Sequence, residues 1–425
     1  MRKNHELDMT SGSLLPKLIS FTIPVMLSGL LQLLFNAADL VVVGRFAGSI
    51  ALAQVGATTA IIQLIVNLLI GLATGTNVTI ARHYGAKDAK AVGETLHTTI
   101  VLAIIGGVLI GAIGVIFAKP LLGMMGTPDE IIDGAALYMR IIFIGLPVSA
   151  VYNYGSAALR AVGDTKRPLY YLAIAGVLNV FLNLFFVIVC KIAVAGVALA
   201  TTLSQVLSMI LTIRCLMKSE GMCHLELKKL RIYKDKLLQL LRIGIPAGLQ
   251  GCVFSFSNVI IQSSINTFGA AVISGNTASA SIDGFMFCAL DAFNQTTTSA
   301  ISQNMGARQY KRSEKVVKYC TVLVIAIGLF LGSLCIIFRE PLVGIYAKEL
   351  DVIEYGAYRL LIISPAFFTA GLMNMMGGVN RGLGYAVLPT VVALIGACAF
   401  RIVWIFTLFA AMPTLFMLYI SYPIT

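Results

Sequence analysis

Long apolar runs dominate the chain, and short charged or turn-rich breaks separate them. A helix needs roughly 20 apolar residues to cross about 30 Å of hydrocarbon, and these runs reach that length. The pattern therefore predicts eleven membrane-spanning helices, near residues 17–44, 51–80, 96–118, 135–159, 168–190, 193–213, 243–268, 271–300, 319–338, 355–378 and 385–411. A twelfth helix is predicted to begin at Pro413.

This twelfth helix is too short to cross the membrane. Residues 413–425 extend only about 20 Å at about 1.5 Å per residue, whereas the hydrocarbon core is about 30 Å thick. Either the segment is re-entrant or the sequence stops before the helix is complete, and we expect the second. An incomplete helix 12 is therefore part of the predicted fold.

The composition also favours a membrane protein. Apolar residues make up 58% of the sequence and charged residues 12%, whereas a soluble domain has about a quarter charged residues. We expect no cleavable signal peptide, because residues 1–16 are polar and the first apolar run is long enough to remain as a span. The eight cysteines are scattered singly, so neither a disulfide framework nor a zinc site is predicted.

Basic residues are distributed unequally between the two sides of the membrane. Of the 31 Lys and Arg residues, most lie in the amino terminus and in the loops that follow the even-numbered helices. Such an excess is typical of cytoplasmic loops, so we predict a multi-pass protein of the inner membrane with a cytoplasmic amino terminus. The net charge of +12 then reflects topology, and we expect no nucleic-acid partner.

The two halves of the chain repeat one another at an offset of about 221 residues. Ordered landmarks recur at this offset: Pro24, Gly29, Asn36, Arg160, Gly163 and Pro168 match Pro246, Gly251, Asn258, Arg381, Gly384 and Pro389. Six spans separate the copies, so both enter the membrane from the same side, and parallel repeats of this kind face each other across a midplane cavity in secondary transporters. We predict an all-α membrane protein with two six-helix bundles in tandem, residues 1–213 and 243–425, joined by a cytoplasmic linker at 214–242 that is basic and amphipathic.

Seven segments in order along the chain resemble the multidrug and toxic compound extrusion (MATE) family. They are IPVMLSGLLQLLFNAADLVVVGRFAG (23–48), ARHYGAKDAK (81–90), LRAVGDTKRP (159–168), VAGVALATTLSQ (194–205), AISQNMGARQYKR (300–312), NRGLGYAVLP (380–389) and FRIVWIF (400–406). The resemblance implies cation-coupled antiport of amphiphilic, often cationic, compounds out of the cell.

Asp39 is the most informative single residue, because it lies inside a predicted span. An ionised carboxylate there is costly and usually marks a functional site. Gln32 and Asn36 share its face of helix 1 at spacings of seven and three residues. We expect Asn36 to contribute to a cation-coupling site at Asp39. The alternative is an acid near the outer end of the helix that reaches water or pairs with Arg45.

Helix 5 carries Asn179 and Asn183, which are four residues apart and therefore on one face. The resemblance implies that these residues build a cation site together with Asp39, with Thr201 on helix 6 and with Tyr138 on helix 4. Some relatives have Asp at the second helix-5 position, where this chain has Asn183. Hydrogen bonding between helices is the alternative role for the two asparagines.

Helix 8 contains Asp283 and Asp291 within a predicted span, although one branch of the family carries acids on helices 7 and 10 instead, where this chain has Ser255 and Ala370. A polar stripe of this kind is costly against lipid, so it faces either a cavity or a neighbouring helix. We predict that it lines a substrate cavity with neighbouring polar residues: Gln32 on helix 1, Asn258 and Gln262 on helix 7, and Asn294, Gln295 and Thr298 on helix 8.

Two arginines, Arg140 and Arg359, fall just inside the outer ends of helices 4 and 10. Long basic side chains in such positions usually extend to the interface, and that is the expectation for both. The alternative is pairing with nearby acids in an outer gate, such as Asp351 or Glu354 for Arg359.

These features predict a secondary antiporter that works by alternating access of two bundles. An enzyme is not expected, because the four histidines form no catalytic constellation. The phosphate-binding motif GxxxxGK followed by Ser or Thr does not occur either, so direct drive by ATP is not expected. A flippase for a lipid-linked sugar is the alternative function.

The coupling ion is predicted to be Na⁺ or H⁺. The oxygens near Asp39 suit a small hard cation, and a lone buried Asp equally suits a proton. No cofactor or bound metal is expected. The predicted partners are small amphiphiles and membrane lipids, and the protein is predicted to act as a monomer.

Overall fold

The computed structural model describes residues 6–424, which are almost entirely helical. Residues 1–5 and Thr425, which belong to the predicted cytoplasmic terminus and to the predicted helix 12, lie outside the described residues. The first bundle contains α1 Leu14–Val42, α2 Gly48–Gly85, α3 Ala89–Met124, α4 with its halves Asp129–Ile144 and Leu146–Ala161, α5 Lys166–Val189 and α6 Ala193–Met217. The second bundle contains α7 Lys234–Phe268, α8 Ala270–Gly306, α9 Tyr310–Ile337, α10 Leu350–Leu383, α11 Val387–Phe409 and α12 Leu415–Ile424.

This order confirms the predicted all-α fold of two successive bundles. Among the described residues, eight helical stretches are long and apolar enough to cross a bilayer, and α4, which bends by 46° between its halves, makes a ninth. One of the eight is the 72-residue run Leu14–Gly85. Gly48 divides that run into α1 and α2, because its positive φ of 88° cannot continue a right-handed helix.

α8 is not among these apolar helices, because polar residues occupy much of its length. Asn276, Ser279 and the whole stretch 296–299 are buried side chains of this helix. Buried polar groups need hydrogen-bond partners in a membrane, where water is absent. α8 accordingly packs against α9 and α10 of its own bundle and against α1 and α2 of the other.

α1 belongs to the cores of both bundles. Leu18, Phe21 and Val25, in its first half, are buried within the core of the second bundle. Val42, at its far end, packs in the core of the first bundle with residues of α2, α5 and α6. The helix therefore crosses from one bundle to the other along its length.

Close packing of α2 against α7 holds the bundles together. A Cβ at Gly71 would overlap the backbone of Gly248, and one at Gly75 would overlap the carbonyl oxygen of Leu240. Glycine permits this approach because it has no side chain. Hydrogen bonds between side chains also join the bundles, among them Asn67 to Ser255 (3.1 Å), Ser299 to Asn77 (2.9 Å), and Thr22 with Thr296 (2.8 Å).

These contacts lie on the side of the molecule where the chain begins. In α1 they reach as far as Gly29, where a Cβ would overlap the Cys288 sulfur, and in α2 as far as Leu64. Farther along, the polar side chains of Gln32, Asn36 and Asn258 are exposed. The two bundles therefore enclose a cleft that is closed on the amino-terminal side and open on the opposite side.

Residues 6–13, the amino-terminal strap, run across the closed side. The Leu7 amide donates to the Val162 carbonyl (3.1 Å), and the Tyr84 hydroxyl donates to the Glu6 carboxylate (3.1 Å). Burial raises the pKa of Glu6 above its ordinary value, although the hydrogen bond from Tyr84 opposes the shift. Glu6 therefore binds a proton more tightly when the strap is docked than when the strap is free. Docking weakens as the pH rises from the ordinary glutamate pKa through the raised pKa of the docked state.

The strap also binds the second bundle, through the fully buried Met9. The Met9 amide donates to the Gln303 side-chain oxygen (2.9 Å), and its carbonyl accepts from Asn304 Nδ2 (3.3 Å) and Arg312 Nε (2.8 Å). Because Leu7 is bound to the first bundle, the strap ties the two bundles together.

We predict that Arg312→Gln loosens the strap, since this arginine also donates to the carbonyls of Ser11 and Gly12. A hydrogen bond to a charged group contributes about 1.5–3 kcal/mol, so amide exchange at Leu7 and Met9 should quicken by roughly tenfold or more. Lys311→Gln, at an exposed neighbouring position, is the matched control. Unchanged exchange at both amides in Arg312→Gln would show that the strap does not depend on this side chain.

Candidate functional site

Asp39 lies at the centre of a polar cluster between α1, α5 and α6. Asn183 Nδ2 donates to Asp39 Oδ1 (2.5 Å) and to Asn179 Oδ1 (3.2 Å), and Asn179 Nδ2 donates to Thr201 Oγ1 (3.4 Å). Thr201 also hydrogen-bonds to the Asp39 carboxylate, and Tyr138 lies close enough to interact with it electrostatically. The structure thus brings five of the six predicted cation-site residues together.

Asn36, the sixth, is exposed on α1. Within the part of the chain that the structure describes, it makes no hydrogen bond to this cluster. Arg45, the alternative partner of Asp39, is also exposed and forms no ion pair with it among these residues. Within the described part of the chain, the Asp39 carboxylate is therefore held by neutral groups alone.

Local packing explains why these helices meet at Asp39. A side chain at Gly176 would overlap the Phe35 ring, so the glycine lets α5 approach α1 closely. Immediately beyond the cluster, both helices change to π-helical turns, at Val43–Ala47 after α1 and at Phe185–Val189 in α5. Such turns are frequent at functional sites, because they displace side chains from the regular helical positions.

The cluster contains oxygen atoms without hydrogen-bond partners. Asn183 is completely buried, yet its Oδ1 atom has no partner among the described residues. Gln205, one turn beyond Thr201 on α6, likewise has a buried, unpartnered Oε1. Gln205 was not among the predicted site residues, although its spacing of four residues from Thr201 places both on one face of the helix. Buried oxygens of this kind beside a carboxylate are suited to accept a small cation.

Asp283 is neutralised within the second bundle. Arg359 Nη1 lies 2.5 Å from Asp283 Oδ2, and the two side chains are only 5% and 16% exposed. The expectation that Arg359 extends to the membrane interface is therefore wrong, and so is its pairing with Asp351 or Glu354. An arginine at this depth is stabilised better by a buried acid on the neighbouring helix than by distant water. The ion pair joins α8 to α10 inside the second bundle.

Asp291 lies where α8 meets the other bundle. Its two carboxylate oxygens accept hydrogen bonds from Asn294 Nδ2 and Gln295 Nε2, both at 3.0 Å. Arg381 and Arg160, one from each bundle, both interact electrostatically with this carboxylate. The sequence identified the two arginines only as repeat landmarks, because nothing in their spacing connects them with the helix-8 stripe.

The remaining predicted cavity residues fall into two groups. Gln32 and Asn258 are exposed in the half of the molecule where the cleft is open. Gln262 accepts a hydrogen bond from Asn276 Nδ2 (3.3 Å), and the buried Thr298 hydroxyl contacts the Gly378 carbonyl of α10 (3.3 Å). The first group is available to a ligand, whereas the second group joins helices of the second bundle.

The fold and the sites together define a multi-pass membrane transporter built from a repeated bundle. The MatE family model matches this chain twice, over residues 24–185 and 246–418, once in each bundle. The chain therefore belongs to the MatE family, as its seven segments indicated.

Relatives with similar sequences carry names that refer to multidrug resistance. The probable multidrug resistance protein YpnP of Bacillus subtilis is 28% identical over 394 residues, which cover 93% of this chain and 88% of that protein. The probable multidrug resistance protein NorM of Thermotoga maritima is 25% identical over 391 residues, which cover 91% and 84%.

A solved structure of a multidrug resistance MATE family transporter in an outward-facing conformation has the same fold. It superposes with a TM-score of 0.92 at 22% identity, over 100% of this chain and 95% of that one. The superposition shows that the arrangement of the two bundles is that of the family.

We predict that Asp283→Leu destabilises the protein, because it leaves Arg359 buried without its acid. Breaking one side of a buried ion pair costs about 3–5 kcal/mol, whereas replacing both partners with apolar residues is often neutral. The double variant Asp283→Leu/Arg359→Met should therefore unfold at a higher temperature than Asp283→Leu alone. If the double variant is no more stable than the single one, the ion pair does not explain the position of Asp283.

Proposed function

We propose that the protein exports amphiphilic compounds in exchange for one Na⁺ or H⁺, which binds at Asp39, and that it works by alternating access. One observation carries this proposal: among the described residues within the predicted spans, Asp39 is the only carboxylate without a neighbouring arginine. Asp283 pairs with Arg359, and Asp291 faces two arginines. The charge of Asp39 is therefore the one that a cation is needed to neutralise.

The buried, unpartnered oxygen of Asn183 supports a cation at this position. An ionised carboxylate within a membrane protein is costly, and binding of a proton or Na⁺ relieves that cost. Carboxylate, amide and hydroxyl oxygens are the ligands that a small hard cation prefers. The Asp39 carboxylate can bind either ion, and the transport experiment described below distinguishes Na⁺ from H⁺.

The position of α1 supports coupling between ion binding and the movement of the bundles. Asp39 lies in the half of α1 that packs with the first bundle, whereas Leu18, Phe21 and Val25 anchor its other half in the second bundle. A change in the charge of Asp39 therefore acts on a helix that both bundles share. An ion changes a conformational equilibrium only if its affinity differs between the two states, and a helix shared in this way can provide that difference.

The direction of transport follows from the closed and open sides of the cleft. With the amino terminus in the cytoplasm, as the distribution of basic residues predicts, the strap and the α2–α7 contact close the cytoplasmic side. The exposed Gln32 and Asn258 then face the exterior. This arrangement corresponds to an outward-open state, from which substrate leaves and the coupling ion enters.

A flippase for a lipid-linked sugar has less support, because a pyrophosphate needs a strongly cationic cavity. The polar residues exposed in the open half of the cleft include Gln32, Asn36 and Asn258, which are neutral.

We predict that Asp39→Asn abolishes ion-driven export while the protein remains folded, since the amide cannot change charge. In proteoliposomes, an imposed Na⁺ or H⁺ gradient should drive a fluorescent amphiphile in the wild type at a rate at least tenfold above that of the variant. Imposing each gradient separately identifies the ion. Thermal unfolding in detergent should show an equal or higher melting temperature for Asp39→Asn, because a buried charge has been removed. Wild-type export by the variant at equal protein content would refute the assignment.

A further inference from the structure

Two arginines related by the internal repeat meet one acid where the bundles join. Arg160 lies at the end of α4 in the first bundle, and Arg381 lies at the corresponding end of α10 in the second bundle. Both interact with Asp291 on α8. Each repeat contributes one of the two arginines, whereas the acid occurs in the second repeat alone. The position in the first repeat that corresponds to Asp291 is Ile70.

Neither arginine forms a direct ion pair with Asp291. Among the described residues, no carboxylate oxygen lies within 4.0 Å of either guanidinium, and the Asp291 oxygens are bound by two amides instead. Arg381 donates to the neutral side-chain oxygens of Asn294 (3.0 Å) and Gln250 (3.2 Å), and its Nε atom is buried without a partner. Arg160 is half-buried, and its guanidinium makes no hydrogen bond with the described residues.

This cluster therefore carries a surplus of one positive charge and guanidinium groups whose hydrogen-bonding capacity is unused. Unpaired charges within a membrane protein are costly and mark functional sites. A guanidinium is a rigid fork of donors that matches a carboxylate in two parallel hydrogen bonds. The surplus is a single charge, so its complement is a singly charged anion.

We propose that Arg160 and Arg381 form the binding site for a carboxylate group of the transported amphiphile. Because the arginines belong to different bundles, separation of the bundles on the closed side exposes both of them together. When the bundles close again, Asp291 provides the negative charge between them, and the substrate carboxylate is displaced. The inference rests on the proposed alternating-access export and specifies its substrate class, namely amphiphiles that bear an acid group.

This proposal changes the role expected for Asp291. From the sequence, Asp291 was predicted to line the substrate cavity. In the structure, two arginines already exceed the charge of Asp291, so the site disfavours a simple cation and favours a compound with a carboxylate. Asp291 acts as an internal competitor of the substrate.

The test compares a rhodamine dye that carries a free carboxylate with its ethyl ester, which differs only at that group. In proteoliposomes driven by the coupling ion, we expect wild-type kcat/KM to be at least tenfold higher for the acid than for the ester. In Arg160→Gln and in Arg381→Gln, the ratio should fall to within about threefold. Arg140→Gln, which removes an exposed arginine from the same helix as Arg160, should keep the wild-type ratio. Equal losses for both dyes, with an unchanged ratio, would overturn the proposal and assign the arginines to closure of the bundles.

A binding measurement separates this inference from the antiport proposal. Fluorescence anisotropy of the acid dye with purified protein should show at least tenfold weaker binding in the two Gln variants and tighter binding in Asp291→Asn, which lacks the competing carboxylate. If the wild type transports neither dye, the antiport proposal fails, and the binding result still decides the arginine site. Equal affinities in the wild type and all three variants would overturn it. If a Gln variant fails to fold, the corresponding Lys variant is measured, because lysine keeps the charge but lacks the paired donors of a guanidinium. An intermediate acid-to-ester affinity ratio is expected for the Lys variant, and a ratio equal to that of the wild type would contradict the site.

Discussion

A polar helix can cross a membrane only when protein surrounds it, and α8 imposes this constraint on the whole molecule. Its buried hydroxyl and amide groups need hydrogen-bond partners that lipid cannot provide. Ser299 reaches Asn77 of the first bundle, Thr296 reaches Thr22, and Gln303 reaches both Met9 and the Ala161 carbonyl. The contacts that satisfy α8 are thus the same contacts that hold the bundles together and close one side of the cleft.

Charge compensation divides the acids of the spans into three different environments. Among the residues that the structure describes, Asp283 has a direct arginine partner, Asp291 has two arginines at a greater distance, and Asp39 has only neutral neighbours. The ion pair of Asp283 stabilises the second bundle. The two arginines near Asp291 allow a substrate carboxylate to bind, as we propose, and the neutral surroundings of Asp39 suit the binding of a cation. Residues of the same chemical type therefore have different roles because their neighbours differ.

The sequence was sufficient to predict the helices and the repeat, whereas the grouping of the helix-5 asparagines with Asp39 was implied by the resemblance to the MATE family. Hydropathy and spacing are local properties, and Asn179 and Asn183 share a face whatever surrounds them. The partner of Asp283 was not predictable in this way, since it depends on how α8 and α10 are rotated against each other. The link between Arg160 and Asp291 was hidden for the same reason, because it joins side chains on two bundles that are 131 positions apart in the chain.

With one ion bound at Asp39 in each cycle, as we propose, the free energy available for export is limited. One positive charge that enters the cell releases about 2.3 kcal/mol per 100 mV of membrane voltage, and a tenfold ion gradient adds about 1.4 kcal/mol. Exchange of one ion for a monovalent cation moves no net charge, so voltage contributes nothing and the gradient of substrate is limited to about tenfold. A zwitterion, whose carboxylate cancels its own positive charge, leaves the voltage fully available, and the limit rises to a few hundredfold. One ion at Asp39 therefore supports only a small concentration gradient of a simple cation and a much larger gradient of an acid-bearing amphiphile.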